Sequence, residues 1–334
     1  MPKLFKMLNN VLRYNIFGLS TRLWFASILL KYYTMKRLRP LIKNAYNYIE
    51  KLPHQENLIH NRDYDMLVIL DACRYDVFSQ VIFDYMDGLL IPVRSPASIT
   101  IDWLKKVWGK RSWNDIVYVS ASPMVNKRGL LRSFDARERF LEIIEVWDWG
   151  WDKELSTVPP NKVNFGIKLA MTKLRLKGLR YSINYKIIVH YVQPHAPYIG
   201  RTRIAGEDIG VRHRSHVYRM VDESVWLWRL LGRIEDLGYD INIIRRAYMD
   251  NLHLVLKEVR RLINHLHGTI IVTSDHGELL GEKLLLEHPE GLYVKELIVV
   301  PWLVIKKPKE FKRKYFIRLK ISQKARMLRS KLKG

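Results

Sequence analysis

Short, almost uninterrupted apolar runs that end in acidic or imidazole side chains constrain this chain more than any other feature. Met66-Leu67-Val68-Ile69-Leu70 runs directly into Asp71. Tyr185 to Val192 leads to Gln193-Pro194-His195-Ala196-Pro197-Tyr198, and Thr269-Ile270-Ile271-Val272-Thr273 leads to Ser274-Asp275-His276-Gly277-Glu278. Runs of this kind fit strands buried on both faces, which means a parallel sheet covered by helices. Asp115 to Ser120 reads as a further strand, and Leu89 to Val93 as a short apolar segment. Arg245 to Leu266 carries Leu252, Leu256, Val259 and Ile263 at helical spacing. The alternation predicts an α/β fold with a mostly parallel central sheet and helices on both faces. Residues that follow the strands of such a sheet collect at its carboxyl edge, where ligands bind.

The side chains delivered to that edge are chemically pointed. Asp71 follows an apolar run and precedes a predicted helix, so it is placed either to ligate a cation or to cap the helix. Asp275 and His276 leave one strand end together, and Gly277 permits a close turn beneath them. Two carboxylates and an imidazole suit Zn²⁺ or Mn²⁺ before Ca²⁺ or Mg²⁺, which favour oxygen-only shells. His195, set between Pro194 and Pro197, is a presented functional group. His288 lies in a loop that returns to the sheet through Leu297 to Pro301. His190, inside its strand, reads as a hydrogen-bonded core imidazole. Together these residues point to metal-assisted ester chemistry.

Length and charge set the surroundings. At 334 residues and 48% hydrophobic content, the chain can bury one large core or a core with a subdomain. Its single cysteine, Cys73, allows no intrachain disulfide and fits a reducing compartment. The formal net charge is +24, concentrated at the ends. No acid precedes Glu50, and Lys306 to Gly334 carries thirteen Lys or Arg against one acid, Glu310. The expected layout is therefore a basic helical extension over 1–60, a catalytic domain over 61–306 and a basic amphipathic tail over 307–334. Both ends should be drawn to an anionic membrane surface, which places the protein in the cytoplasm, peripheral on the inner face of a membrane. Nucleic acid is the lesser partner, because no nucleic-acid motif accompanies the charge. Leu23 to Leu30, the most apolar stretch near the start, falls well short of the roughly 20 residues that span a bilayer. Val146 to Pro160 and Gly200 to Arg219 read as insertions that shape a substrate pocket.

The ordered set Leu70-Asp71, Thr100, Pro194-His195-Ala196-Pro197-Tyr198, Asp275-His276-Gly277-Glu278, His288 and Val300-Pro301 resembles the alkaline phosphatase and sulfatase superfamily, in its archaeal-type sulfatase-like or phosphatase-like branch. The resemblance runs from about Tyr64 to Lys306. It implies that Asp71, Asp275 and His276 hold a divalent metal and that a nucleophile, itself a ligand, opens a helix after the second segment. Thr100 fits that place, with Ser98 as the rival. His195 would contact the transferred group or its leaving oxygen, and His288 would either complete a second metal site or protonate the leaving group. Two departures stand out. The Cys-x-Pro-Ser-Arg run of formylglycine sulfatases is missing, which leaves Cys73 a packed thiol. The Asp-x-x-x-His pair of the two-zinc phosphatases is replaced by Gln193 and His195, so one well-formed metal site is expected. The implied activity is hydrolysis or transfer of phosphate mono- or diesters, with a lipid-linked head group or glycan as substrate. The alternatives are a sulfuric ester hydrolase without formylglycine, or a nucleic-acid- or membrane-binding protein on a degenerate hydrolase fold.

Overall fold

The computed structural model describes residues 48–129, 133–176, 185–204, 241–282 and 286–308. The chain divides into two compact units, Met1–Leu52 and Pro53–Gly334. In the second, the elements run α1 (Gln55–Asn61), β1 (Met66–Asp71), α2 (Tyr75–Val81), β2 (Leu89–Arg94), α3 (Thr100–Trp108), β3 (Trp113–Ser120), β4 (Phe140–Glu145), α4 (Val146–Trp149) and α5 (Pro160–Leu176). They continue with β5 (Lys186–Pro194), α6 (Ile241–Ile263), β6 (Gly268–Ser274), β7 (Leu279–Leu280), β8 (Leu286–Glu287), α7 (Lys295–Ile298) and β9 (Val299–Lys307).

Seven strands form one sheet in the order β2-β9-β6-β1-β5-β3-β4. Strand β1 lies at its centre with all six residues buried, parallel to β5 on one side and β6 on the other. Only β9 runs against the rest, pairing antiparallel with both β6 and β2. The expected α/β class and mostly parallel sheet are therefore what the chain adopts. Side-chain alternation splits the core into two layers. Val68, Leu70, Val189 and Val272 face α2, α5 and α6, where Phe78, Val163, Leu252 and Val259 pack. Leu67, Ile69, Ile188 and Ile271 face α1 and α3, against Ile59, Trp103 and Trp108.

Two sequence readings differ from the structure. Val146 to Pro160 is no insertion standing apart from the body, because Val146, Trp147 and Val158 are buried in the first layer of the core. The α1 helix lies in the stretch assigned to the N-terminal extension, yet Gln55 ties it to the sheet. The buried Gln55 amide donates to Thr273 Oγ1 (2.8 Å) and the Ser274 carbonyl (2.6 Å), and its oxygen accepts from Trp103 Nε1 (2.8 Å). The segment 205–240, which contains most of the second expected insertion, and the ends 1–47 and 309–334 lie outside the described residues. Among the described residues, no helix is long and apolar enough to cross a membrane.

Candidate metal centre

The carboxyl ends of β1 and β6 and the first residue of α3 bring four sequence-predicted residues together. Asp71, Thr100, Asp275 and His276 are all buried. Thr100 Oγ1 lies 3.1 Å from His276 Nε2 and 3.5 Å from Asp71 Oδ1. His276 Nε2 is 3.4 Å from Asp275 Oδ2 and 3.6 Å from Asp71 Oδ1. Ser98, the rival hydroxyl, turns away and donates to the Pro289 carbonyl at 3.0 Å. No side chain caps the first turn of α3, so its leading N–H groups remain available beside Thr100.

This arrangement carries an internal conflict that a cation resolves. His276 Nδ1–H donates to the Gly277 carbonyl at 2.8 Å, which leaves Nε2 as a lone pair facing two carboxylates. Burial also pulls the His276 pKa down, against the upward pull of the Asp275 charge. Burial drives Asp71 well above the usual carboxylate range, and the charges of Asp275 and Glu278 add to the effect. Burial acts the same way on Asp275, but the neighbouring His276 and His190 and a hydrogen bond from the Ala72 N–H outweigh it and hold its carboxyl low. Asp275 Oδ2 has no hydrogen-bond partner among the described residues. Carboxylate oxygens and an imidazole nitrogen meeting here, with one carboxylate oxygen left without a partner, suit a divalent ion. Such an ion would be held by Asp71, Asp275 and His276, with Thr100 beside them.

A second cluster stands next to the first. His195, Glu278 and His288 offer ligand atoms that all lie within 4.8 Å of one another. His288 Nδ1–H donates to Glu278 Oε1 at 3.0 Å, a carboxylate–imidazole pairing that orients metal-bound histidines. His195 Nδ1–H donates to the Ala196 carbonyl. In both rings Nε2 is then the unprotonated nitrogen. The His288 ring centroid is 4.4 Å from that of His276 and 5.0 Å from that of His195, so the clusters adjoin. Burial lowers the pKa of His288 to about 4 and also lowers that of His195, while it raises that of Glu278 to about 7.

Glu278 is the residue the sequence reading passed over. It lies three residues after Asp275, in the turn that carries His276 away from the sheet, and its place depends on the path of that turn. That turn is closely packed, with Gly277 N–H donating to the Leu297 carbonyl at 2.7 Å. A Cβ at Gly277 would stand 2.0 Å from the Glu296 carbonyl oxygen, so no larger residue fits. His190 is fully buried in β5.

Braces behind the edge fix these positions. Asn251 of α6, fully buried, donates through Nδ2 to the carbonyls of Pro194 (3.3 Å), His195 (3.2 Å) and Pro197 (3.0 Å). Its Oδ1 accepts from the N–H groups of Ile199 (2.8 Å) and Gly200 (3.0 Å). The His195 N–H donates to the Asp71 carbonyl at 3.2 Å, where the β1–β5 register shifts after Leu70. Arg74 is nearly buried and pairs with Asp76 and Glu282, each at 2.6 Å, while donating to the Glu278 carbonyl at 3.2 Å. Cys73 is buried, as expected of a packed thiol.

Similar solved structures include the soluble domain of lipooligosaccharide phosphoethanolamine transferase A from Neisseria meningitidis, with 12% identity and a TM-score of 0.46 over 74% of this chain and 77% of that one. The integral membrane form of the same transferase is covered over 48% of its length by 74% of this chain, with 12% identity and a TM-score of 0.45. Phosphonate monoester hydrolase of Agrobacterium radiobacter shows 14% identity and a TM-score of 0.41 over 72% of this chain and 67% of its own. No family model and no curated protein matches the sequence. At such identities the chemistry has to be read from the side chains themselves.

Proposed function

We propose that this chain is a metal-dependent enzyme that hydrolyses or transfers phosphate esters through Thr100. The observation that carries the reading is Thr100 Oγ1 at the first residue of α3, within 3.1–3.5 Å of His276 and Asp71. A divalent ion held by Asp71, Asp275 and His276 would lower the pKa of the neighbouring hydroxyl and offset negative charge on the transferred group. Thr100 Oγ1 forms a bond to phosphorus as the bond to the leaving oxygen breaks, and its proton has Asp71 Oδ1 within reach. The leaving oxygen takes a proton from water. Water, or an acceptor hydroxyl in a transferase, then attacks the phosphothreonine and returns Thr100 to its free form. The uncapped N–H groups of α3 favour the anionic oxygens of the group in transit. His195 and His288, beside His276, face the place where the ester or a second ion would lie.

The basic ends support a location for this chemistry. Their charge suits the cytoplasmic, anionic face of a membrane, with a lipid-linked head group or glycan as substrate. The test of the core proposal is a panel of aryl phosphates, diesters and phosphonates with Zn²⁺ or Mn²⁺, joined to mass spectrometry of the quenched enzyme. The wild type is expected to turn over at least one ester and to show a phosphate adduct on Thr100. Thr100→Ala should lose at least about 10³-fold in kcat, within the range seen when a covalent nucleophile is removed. Turnover that survives in Thr100→Ala would overturn the assignment.

A further inference from the structure

His190 departs from what a core imidazole should look like. It is fully buried in β5, yet its Nε2 has no hydrogen-bond partner among the described residues. A buried polar atom left without a partner gives up its hydration with nothing in return, and an apolar residue at this position would avoid that cost. The other ring nitrogen is engaged, with Nδ1 3.0 Å from the Tyr118 hydroxyl. Placement by the sheet is equally specific. His190 pairs with Ile69 of β1 and Ser120 of β3. It shares a sheet face with Ile188, the face packed against α1 and α3. Asp71 ends β1, two residues beyond Ile69, and Asp275 directly follows the last residue of β6. Ligand atoms of Asp71, His190 and Asp275 all lie within 4.8 Å of one another. The partnerless Asp275 Oδ2 belongs to the same group.

We infer that His190 Nε2 is a ligand of the metal ion, approaching from within the sheet, and that Tyr118 fixes its tautomer. In this arrangement His190 Nδ1–H donates to the Tyr118 hydroxyl, leaving the Nε2 lone pair for the ion, as ring partners of metal-bound histidines commonly do. The two partnerless buried atoms, His190 Nε2 and Asp275 Oδ2, are then satisfied by one cation. The donor set becomes Asp71, Asp275, His276, His190 and Thr100, with two nitrogens and three oxygens. Two imidazoles weight the site toward Zn²⁺ or Mn²⁺ and away from the oxygen-seeking Mg²⁺ and Ca²⁺. The inference rests on the proposal that an ion occupies this site at all, and its tests separate the two.

Crystals of the full chain grown with Zn²⁺ should show an anomalous peak about 2.0–2.1 Å from His190 Nε2. In solution, metal-stripped protein titrated with Zn²⁺ against a chelator of known affinity gives the matching comparison. His190→Gln, which preserves volume, should weaken Zn²⁺ by more than the roughly 10–100-fold typical of outer-shell changes, whereas Tyr118→Phe should fall within that range. Circular dichroism of each variant checks folding, and the crystal result does not depend on a variant. A zinc peak on Asp71, Asp275 and His276 with His190 Nε2 beyond bonding distance would refute the inference and leave the proposed function standing. So would unchanged zinc affinity in a folded His190→Gln. If the wild type takes up no ion, both fall together.

Discussion

Asn251 offers the sharpest test of how the edge is held, because one side chain fixes the whole His195 turn. Its amide has two hydrogens shared among three carbonyls, and its oxygen accepts two N–H groups. Asn251→Ala removes about four hydrogen bonds, each worth about 1 kcal/mol net, and strands buried backbone groups behind it. The expected loss is about 4 kcal/mol, or a Tm lower by roughly 8–15 °C at about 2–4 °C per kcal/mol. Asn251→Asp keeps the acceptor oxygens but sets a carboxylate against three carbonyls, so it should be at least as damaging as alanine. The second consequence is functional. With Pro194, His195 and Pro197 released, ester turnover per folded molecule should fall, assayed well below the Tm of each variant. A large fall in Tm with unchanged turnover would show that Asn251 supports the fold without placing His195. A Tm within 2 °C of wild type, judged against the same roughly 2–4 °C per kcal/mol, would refute the hydrogen-bond reckoning itself.

Three further outcomes follow from other parts of the molecule. Arg74 holds Asp76 and Glu282 below their usual pKa values against the upward pull of burial. Stability from these pairs is thus full above the ordinary carboxylate range and lost as pH falls through the depressed folded values. Arg74→Met should lower Tm at pH 7, by an amount equivalent to about 2 kcal/mol, and the gap to wild type should narrow in Tm scans taken toward pH 3. Because buried carboxylates at the metal centre repel one another until a cation arrives, Zn²⁺ at about 100 times its Kd should stabilise stripped protein by about 2.7 kcal/mol in thermal melts. An unchanged Tm on zinc addition would count against the centre. Finally, the full chain should co-sediment with vesicles rich in anionic lipid and release as salt rises, while equal binding to neutral vesicles would remove the membrane reading.

What the sequence made legible tracks how each element is buried. Strands β1, β3, β5 and β6 were readable because both their faces are covered, which demands a near-continuous apolar run. Strand β4 was not, because Glu142 and Glu145 interrupt it at the sheet's edge. Glu142 is buried all the same, its charge met by Lys127. Strand β2 carries Pro92, a residue uncommon within strands, and so looked like a mere apolar segment. The Trp-rich stretch after β4 suggested an insertion because nothing local says that Trp147 turns inward. For the site, Asp71, Thr100, Asp275 and His276 were legible because each stands at the end of a recognisable strand or the start of a helix. Glu278 and His190 were not. The first depends on the path of a turn, and the second on which sheet face an in-strand histidine shares, a fact of register that single-strand reading does not contain.

The backbone behind Asp71 explains why the edge is built with so many polar braces. Ala72, directly after Asp71, has φ of +59° in the left-handed region, where a residue with a Cβ is strained by about 1–3 kcal/mol. That conformation is tied down from several sides. The Ala72 N–H donates to Asp275 Oδ1 at 3.2 Å, and the Ala72 carbonyl accepts from the Tyr248 hydroxyl at 2.8 Å. The next residue, Cys73, donates its N–H to Ser274 Oγ at 2.7 Å. Each tie joins the end of β1 to the end of β6 or to α6, so the turn that strains Ala72 also fixes Asp71 relative to Asp275. A relaxed turn would free the backbone but let the two carboxylates, which repel, drift apart. Holding them close without a cation therefore has a cost, and the large apolar core beneath the edge offsets it. This division places strained backbone where the chemistry is proposed to occur.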